Sequence, residues 1–316
     1  VYVNQVGGQD ELVFDGESTV YDRNGTICQR MHLFKEELAV VEFDISRPDM
    51  PTPLPGDVAA VVGEEEAIYR ALVLGVRDYV NKNGFSGAVI GLSGGIDSAL
   101  TLAIAVDALG ADRVEAVMMP TQYTAQMSQS DAQREAIDLG VDYHVVPISK
   151  HFNGFVDALH PLFKGMAQDT TEENIQARCR GLILMAISNK TGKIVLATGN
   201  KSEMAVGYAT LYGDMCGGFA PIKDVPKTMV YRLARYRNKI GEAIPQRVID
   251  RPPSAELRPD QKDEDSLPAY EVLDPILERY IENDQSVEDI VAAGFEDDVV
   301  RDVIKMVDRN EYKRRQ

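Results

Sequence analysis

The chain has 316 residues, 44% of them hydrophobic, and a formal net charge of −17. There is enough apolar material for one large domain or two, and no apolar run approaches membrane-spanning length. The acidity speaks against non-specific nucleic-acid binding, which needs a basic footprint; a nucleotide substrate stays open, because an acidic enzyme can concentrate positive charge locally. Cys28, Cys179 and Cys216 are widely spaced and form no CxxC pair, which argues against a zinc ribbon or disulfide framework and suits a reducing cytoplasm. The first residue is Val1 and no signal-peptide pattern follows it, so the start is expected to be either processed or that of a fragment.

Taken in order, residues 1–46 predict short strands at Val1–Gln5, Leu12–Phe14, Thr19–Tyr21, Thr26–Leu33 and Leu38–Phe43. Gly7-Gly8, Asp15-Gly16 and Asn24-Gly25 are the turn signals between them. So small a set buries little, and reads either as the end of a larger β-rich domain or as a β-appendage. Arg47–Asp57 holds four prolines and a glycine, which makes it the start of a stiff extended linker over 47–62. A second domain over 63–316 then opens with a helix at Glu64–Asn83, where apolar residues recur at helical spacing and Asn83-Gly84 ends the run.

Ala88–Leu92 is a short apolar strand, Ser93-Gly94-Gly95 a tight turn, and a helix runs from near Asp97 to about Leu109. Glycines let the backbone approach a ligand, and the free amides at a helix start carry the positive end of its dipole. Gly91, Leu92, Ser93, Gly94, Gly95, Ile96, Asp97 and Ser98 are therefore a candidate phosphate cradle, with hydroxyls from Ser93 and Ser98 as added donors. Asp97 would repel a phosphate unless a divalent cation lay between them, which implies Mg2+. The loop lacks the Lys-Ser/Thr ending of GxxxxGK[ST], so it is not that nucleotide loop. Residue types alone also allow a plain strand-to-helix turn capped by Ser and Asp.

Arg113–Met118 and Asp142–Val146 are further strands, the second carrying His144, read as structural. Between them Ser128–Leu139 is a helix with Ser128 and Asp131 as a loose capping box. This alternation predicts α/β: a doubly wound parallel sheet with flanking helices, its ligand off the carboxyl ends of the strands. Thr170–Ser188 is a Thr-capped helix in which Arg178 and Arg180 point to different faces, reading as a solvated pair on residue type alone. Lys193–Ala197 is a strand followed by Thr198-Gly-Asn-Lys-Ser-Glu203, a hydroxyl and a carboxylate at a second strand end. Glu203 is either a second magnesium ligand or a first-turn glutamate that favours the helix dipole. Tyr208–Phe219, with Asp214, has the composition of a mobile binding loop. Lys227–Lys239 is helical, Arg258–Asp265 is so charged that order is not expected without ligand, and Tyr270–Glu282, Val287–Ala293 and Asp297–Arg309 are helical before the basic end Tyr312-Lys313-Arg314-Arg315.

The SGGIDS turn resembles the pyrophosphate loop of the N-type ATP pyrophosphatases, which adenylate a substrate and release pyrophosphate. NIQARCRG, ATGNKSEMAVGY, LYGD, RPPSAEL and EYKRR follow in the order seen in NAD synthetases, from about Glu64 to Gln316. YVNQVGGQDELVFDGESTVYDRNG resembles the C-terminal part of the nitrilase-like glutaminase domain of the glutamine-dependent members. That domain's Glu, Lys and Cys catalytic residues would lie upstream of Val1, and Cys28 reads as an ordinary strand cysteine.

The resemblance implies an adenine nucleotide alpha hydrolase-like fold preceded by a β-rich glutaminase remnant over 1–46. It implies ATP-dependent amidation of deamido-NAD, through an adenylated intermediate, with ammonia supplied directly or from glutamine. Thr198, Lys227 and Ser254 match ATP-binding positions; serine replaces the family's usual threonine at Ser254. Asp97 and Glu203 match the Mg2+ positions, Arg178, Tyr312 and Lys313 the deamido-NAD positions, and Asp214 would orient the nicotinate end or ammonia. Two departures stand out: small ammonia-dependent members carry lysine where this chain has Leu211, and an aspartate near Gly218. Tyr312-Lys313 in place of His-Lys fits the glutamine-dependent branch. The resemblance also implies a homodimer or larger homo-oligomer, while cysteine usage, charge and hydropathy lead to the expectation of a cytoplasmic chain without nucleic-acid or membrane partners. A GMP synthetase-like amidotransferase or a tRNA-modifying enzyme shares the loop without the later motifs, and the second would need a basic RNA surface. A degenerate, non-catalytic nucleotide-binding module is disfavoured because both candidate metal carboxylates are present.

Overall fold

The computed structural model describes residues 1–258 and 261–315. Its contacts divide the chain into two units, Val1–Gly84 and Phe85–Gln316.

In the first unit β1 (Val6–Gln9) pairs with β2 (Leu12–Asp15), β3 (Thr19–Tyr21) with β4 (Ile27–Arg30), and β5 (Phe43–Asp44) with β6 (Thr52–Pro53), all antiparallel. They remain three separate pairs. Val1–Gln5 and Leu38–Phe43 are not the expected strands, and Gly7-Gly8 lies inside β1 rather than turning. The reversal falls at Asp10, which takes a positive φ of 52°. Glycine at position 8 has a packing reason: a Cβ there would come within 3.2 Å of Asp78 and 3.3 Å of Gly75. β1 thereby lies against α1 (Glu64–Lys82), whose Asp78 carboxylate accepts from the Gly8 amide at 2.8 Å. The helix that was expected to open the second domain thus groups with the β-rich unit.

The second unit runs β7 (Ala88–Gly91), α2 (Ile96–Leu109), β8 (Val114–Met118), α3 (Gln126–Leu139), β9 (Asp142–Val145), α4 (Ser149–Leu159), α5 (Thr170–Thr191), β10 (Ile194–Leu196) and α6 (Lys201–Val206). After the segment 207–226 come α7 (Lys227–Ile240), α8 (Gln246–Asp250), α9 (Tyr270–Leu277) with a wide turn to Glu282, α10 (Val287–Ala292), α11 (Asp297–Arg309) and α12 (Glu311–Arg314). The sheet order is β10-β7-β8-β9, every pair parallel. Alternate residues of each strand face opposite sides. Val89, Val117 and Val195 pack with Cys179 and Leu184 of α5. Ala88, Ile90, Ala116 and Met118 point to the other side, where α2 lies on β7 and β8. Leu100, Leu102 and Ile104 of α2 are fully buried, each contributing about 1.5–3 kcal/mol of burial. This is the doubly wound α/β sheet expected from the alternation. A satellite core joins α6 to the C-terminal helices through Leu273, Ile276, Val300, Val303 and Val307. Among the described residues no helix is long and apolar enough to cross a membrane.

Two expected caps are replaced. The start of α3 receives no side-chain cap from Ser128 or Asp131, and α5 is capped by Asp169, whose carboxylate accepts from Thr171 N at 2.7 Å, rather than by a threonine. The capping box closes with Glu172, which accepts from the Asp169 amide at 3.0 Å.

Glu135 on α3 is 0% exposed, and neither carboxyl oxygen has a hydrogen-bond partner. Burial, reinforced by the Asp131 charge, pushes its pKa well above the ordinary 4.5. The folded chain therefore holds a proton that the unfolded chain releases once the pH exceeds that ordinary value, and stability falls as pH rises through the window. Glu135→Gln removes this slope. Its melting temperature is expected to exceed that of the parent chain by at least about 2 °C at pH 8 and by less at pH 5, read by thermal unfolding across pH.

Candidate active site

β10 lies on one side of β7 and β8 on the other, so the order of strands reverses between β7 and β10. In open α/β sheets ligands bind at such a reversal, off the carboxyl ends of the strands. Two loops meet there: Leu92–Gly95 after β7, and Ala197–Asn200 after β10.

The first loop is braced by its own hydroxyls. Ser98 Oγ donates to Gly95 O at 3.0 Å and accepts from Ser93 N at 3.2 Å, and Gly95 N donates to Ser93 Oγ at 3.2 Å. Gly94 takes a φ of +79°, and a Cβ there would meet Ser128 O at 2.3 Å, so glycine is required on two grounds. Arg251 clamps the same turn: it donates to Gly94 O and to Ser128 Oγ, each at 2.7 Å. Ser128 in turn donates to Glu256, whose other oxygen accepts from Ala125 N at 3.2 Å. Glu256 therefore supplies the start of α3 with the acceptor that its own sequence lacks.

The second loop is organised by Asn200. Its side-chain oxygen accepts from Glu203 N at 3.0 Å, capping α6, and its amide donates to Asp97 Oδ1 at 2.9 Å. Lys227, only 1% exposed, sits between the two acidic residues, 2.5 Å from Asp97 Oδ2 and 3.3 Å from Glu203 Oε1. Its backbone is fixed as firmly: Lys227 N donates to Ser202 Oγ at 2.9 Å, and Asp274 accepts from Thr228 N at 2.8 Å at the start of α7. Burial works against the Lys227 ammonium, but Asp97 and Glu203 outweigh it and hold its pKa above the ordinary lysine range. Loss of hydration pushes the Glu203 carboxyl up to about 8, with Lys227 opposing and Asp97 reinforcing the rise.

These groups line a cavity of about 260 Å³. Gly91, Leu92, Ser93, Gly95, Ile96, Asp97, Ser98, Thr198, Glu203, Asp214, Lys227 and Ser254 all contribute to its wall. Of the expected ATP and metal set, only Gly94 stands behind the wall. Arg178, Tyr312 and Lys313 do not line it. Arg178 Nε donates to Leu211 O at 3.1 Å, and Lys313 Nζ donates to Gly207 O at 2.6 Å and Ala209 O at 2.8 Å. Both cations thus hold the segment that carries Asp214, while Tyr312 is 56% exposed. That segment also packs closely: a Cβ at Gly213 would meet Ala177 at 2.7 Å, and one at Gly218 would meet Ile194 at 2.8 Å. A side chain at position 218 would therefore require Ile194 to shift.

Arg180, Arg251, Glu256, Asn200, Tyr208 and Asp263 belong to the site without having been singled out for it. Arg180, read as half of a solvated pair, instead lines the cavity and donates to Met119 O at 3.1 Å. Asp263 lies in the stretch Arg258–Asp265 for which no order was expected; Pro259 and Asp260 fall outside the described residues, but Gln261 and Asp263 are buried.

Two carboxylates that share one cation locus beside a braced glycine turn suit Mg2+, which is commonly held by one or two carboxylates and completed by phosphate oxygens. A cradle of this kind at the switch point of a parallel sheet defines a nucleotide-binding α/β protein. The chain belongs to the NAD synthase family, whose model matches residues 68–316. It is 57% identical over 318 residues to the glutamine-dependent NAD(+) synthetase of Acinetobacter baylyi, an alignment covering 100% of this chain and 58% of that protein. The structure of glutamine-dependent NAD+ synthetase from Acinetobacter baumannii in complex with ADP is 53% identical, with a TM-score of 0.76, over 100% of this chain and 57% of that one. The NH3-dependent NAD synthetase of Campylobacter jejuni is 26% identical with a TM-score of 0.65, over 80% of this chain and 96% of that one. The chain therefore spans less than two thirds of the length of its glutamine-dependent relatives.

Proposed function

We propose that this chain catalyses ATP-dependent amidation of deamido-NAD to NAD, with release of AMP and pyrophosphate. The observation that carries the reading is the meeting of Asp97, Glu203 and Lys227 at the reversal point, beside the Ser93–Ser98 turn, in a chain of the NAD synthase family.

Ammonia displaces hydroxide from a carboxylate very poorly, whereas AMP is a competent leaving group. The protein's task is then positioning and charge neutralisation. The amides at the start of α2 offer backbone donors to the ATP phosphates, since Ser93 N and Gly95 N are taken within the turn, and Thr198 and Ser254 line the same wall. Asp97 and Glu203 would hold Mg2+, which supplies neutralising charge to the phosphates when bound. Lys227 stays ionised and adds a fixed positive charge where pyrophosphate departs. Asp214 lines the cavity, on the segment held by Arg178 and Lys313; in this reading it orients the nicotinate end or the incoming ammonia. Arg178, Tyr312 and Lys313 stand outside this cavity wall, and their part in holding deamido-NAD rests on the family resemblance. Ammonia comes from solution or from glutamine hydrolysed by an upstream domain. A homodimer or larger homo-oligomer in the cytoplasm belongs to the same proposal; the assembly rests on family resemblance alone.

The chain incubated with ATP, Mg2+, deamido-NAD and ammonium is expected to release pyrophosphate and form AMP and NAD in equal amounts. Absence of both AMP and NAD would sink the reading. Glutamine in place of ammonium is expected to give little product with this chain, and a full rate with glutamine would overturn the assignment of glutamine hydrolysis to an upstream domain.

A further inference from the structure

Asp263 lies in the short turn Asp263–Asp265, 4% exposed, on the wall that also carries Asp97, Glu203 and Lys227. Tyr270 donates its hydroxyl to Asp263 Oδ2 at 2.9 Å. The other oxygen, Oδ1, is buried without a hydrogen-bond partner; the Tyr208 hydroxyl also acts on this carboxyl but makes no bond to that oxygen. An unpartnered buried carboxylate oxygen carries a desolvation cost that folding does not recover, so its retention points to a donor that arrives with a ligand.

The charge count around it says what kind of ligand. Asp97, Glu203 and Asp263 all act on one ammonium, Lys227, which also lies 5.3 Å from the Tyr270 ring. Three carboxyl groups share one ammonium on this stretch of wall, so a cationic assembly that brings its own donors suits the open oxygen. Among the described residues no three acidic, histidine or cysteine side chains converge to hold an ion directly. Mg2+ keeps several of its waters when bound, and these present O–H donors outward.

We infer that Asp263 Oδ1 accepts a hydrogen bond from a water of the Mg2+ held by Asp97 and Glu203, making Asp263 a positioning residue for the hydrated side of the ion. The inference rests on the metal reading proposed above and adds a residue to it. Tyr270 holds the carboxylate in place through Oδ2 and leaves Oδ1 for the ion's water shell.

The test is Mn2+ binding in the presence of ATP, followed by electron paramagnetic resonance, on the full chain and on Asp263→Asn. Loss of a residue that orients a metal's immediate ligands typically weakens binding about 10–100-fold, and that is the drop in Mn2+ affinity expected here. Metal-free Asp263→Asn is expected to melt no lower than the parent, because the substitution removes a carboxylate that repels its neighbours. Unchanged Mn2+ affinity overturns the inference while leaving the metal reading intact. A lower melting temperature or failure to fold also overturns it, because Asp263 would then serve the fold. If the parent chain itself binds no Mn2+ with ATP, the metal reading fails and the inference with it.

Discussion

Asp97→Asn is expected to leave the chain folded and to slow NAD formation by at least about 10²–10³-fold, the usual loss when one preorganised charge-stabilising group is removed. Asn keeps an oxygen for the Asn200 amide that now reaches Asp97 Oδ1 at 2.9 Å. Its NH2, however, would face the Lys227 ammonium where Oδ2 now stands at 2.5 Å, setting donor against donor. Lys227 retains Glu203 at 3.3 Å, so the ammonium is not stranded. The stability loss should therefore stay below the roughly 3–5 kcal/mol that follows complete unpairing of a buried charge. Pyrophosphate release and thermal unfolding, measured on the same preparation, separate the two effects. Turnover within tenfold of the parent would refute the role of Asp97 on the metal.

Lys227→Met reverses the imbalance. It strands Asp97, Glu203 and Asp263 on one wall without a cation, and is expected to cost about 3–5 kcal/mol in metal-free denaturant unfolding. Millimolar Mg2+ should return a large part of that loss, and should stabilise the variant more than the parent, because the ion answers the same two carboxylates that the ammonium satisfies. Equal stabilisation of parent and variant by Mg2+ would refute the shared cation locus. If the proposed reaction holds, turnover should remain low even with Mg2+, since the fixed charge assigned to the departing pyrophosphate is gone.

The parts that could be read from residue order alone were those governed by local physics. The strands near 88–92, 114–118 and 193–197 are apolar runs bounded by turn residues, and all three form within one or two residues of expectation. Asp97 and Glu203 were legible as carboxylates placed just past strand ends, and the sheet order brings those ends together. What depended on distant partners was not legible. Ser128 looked like a local cap because its partner, Glu256, is 128 residues away. Arg178 and Arg180 differ only in helical phase, and which of them faces the cavity is decided by how α5 lies on the sheet. Asp263 sits in a run of charges that reads as solvated, yet the Tyr270 hydroxyl seven residues on draws it inward. The failed strand at Val1–Gln5 is of another kind: Tyr2 pairs with Thr19 and the Gln5 carbonyl accepts from Gly16, but these isolated bonds do not extend into a ladder.

The pairing of β10 with β7 joins Ile194 to Ala88 across a long stretch of intervening chain, and Lys227 meets Asp97 across 130 residues. Loops of that length close late and slowly, so no partly folded chain that lacks β10 contains the cation site at all. On the proposed reading, nucleotide and metal then have affinity for the finished second unit and none for its precursors. Their binding energy should add to the global unfolding free energy of residues 85–316, and protection from hydrogen exchange on ligand binding should spread through β7, β8 and β10 as a block instead of stopping at the loops that touch the ligand.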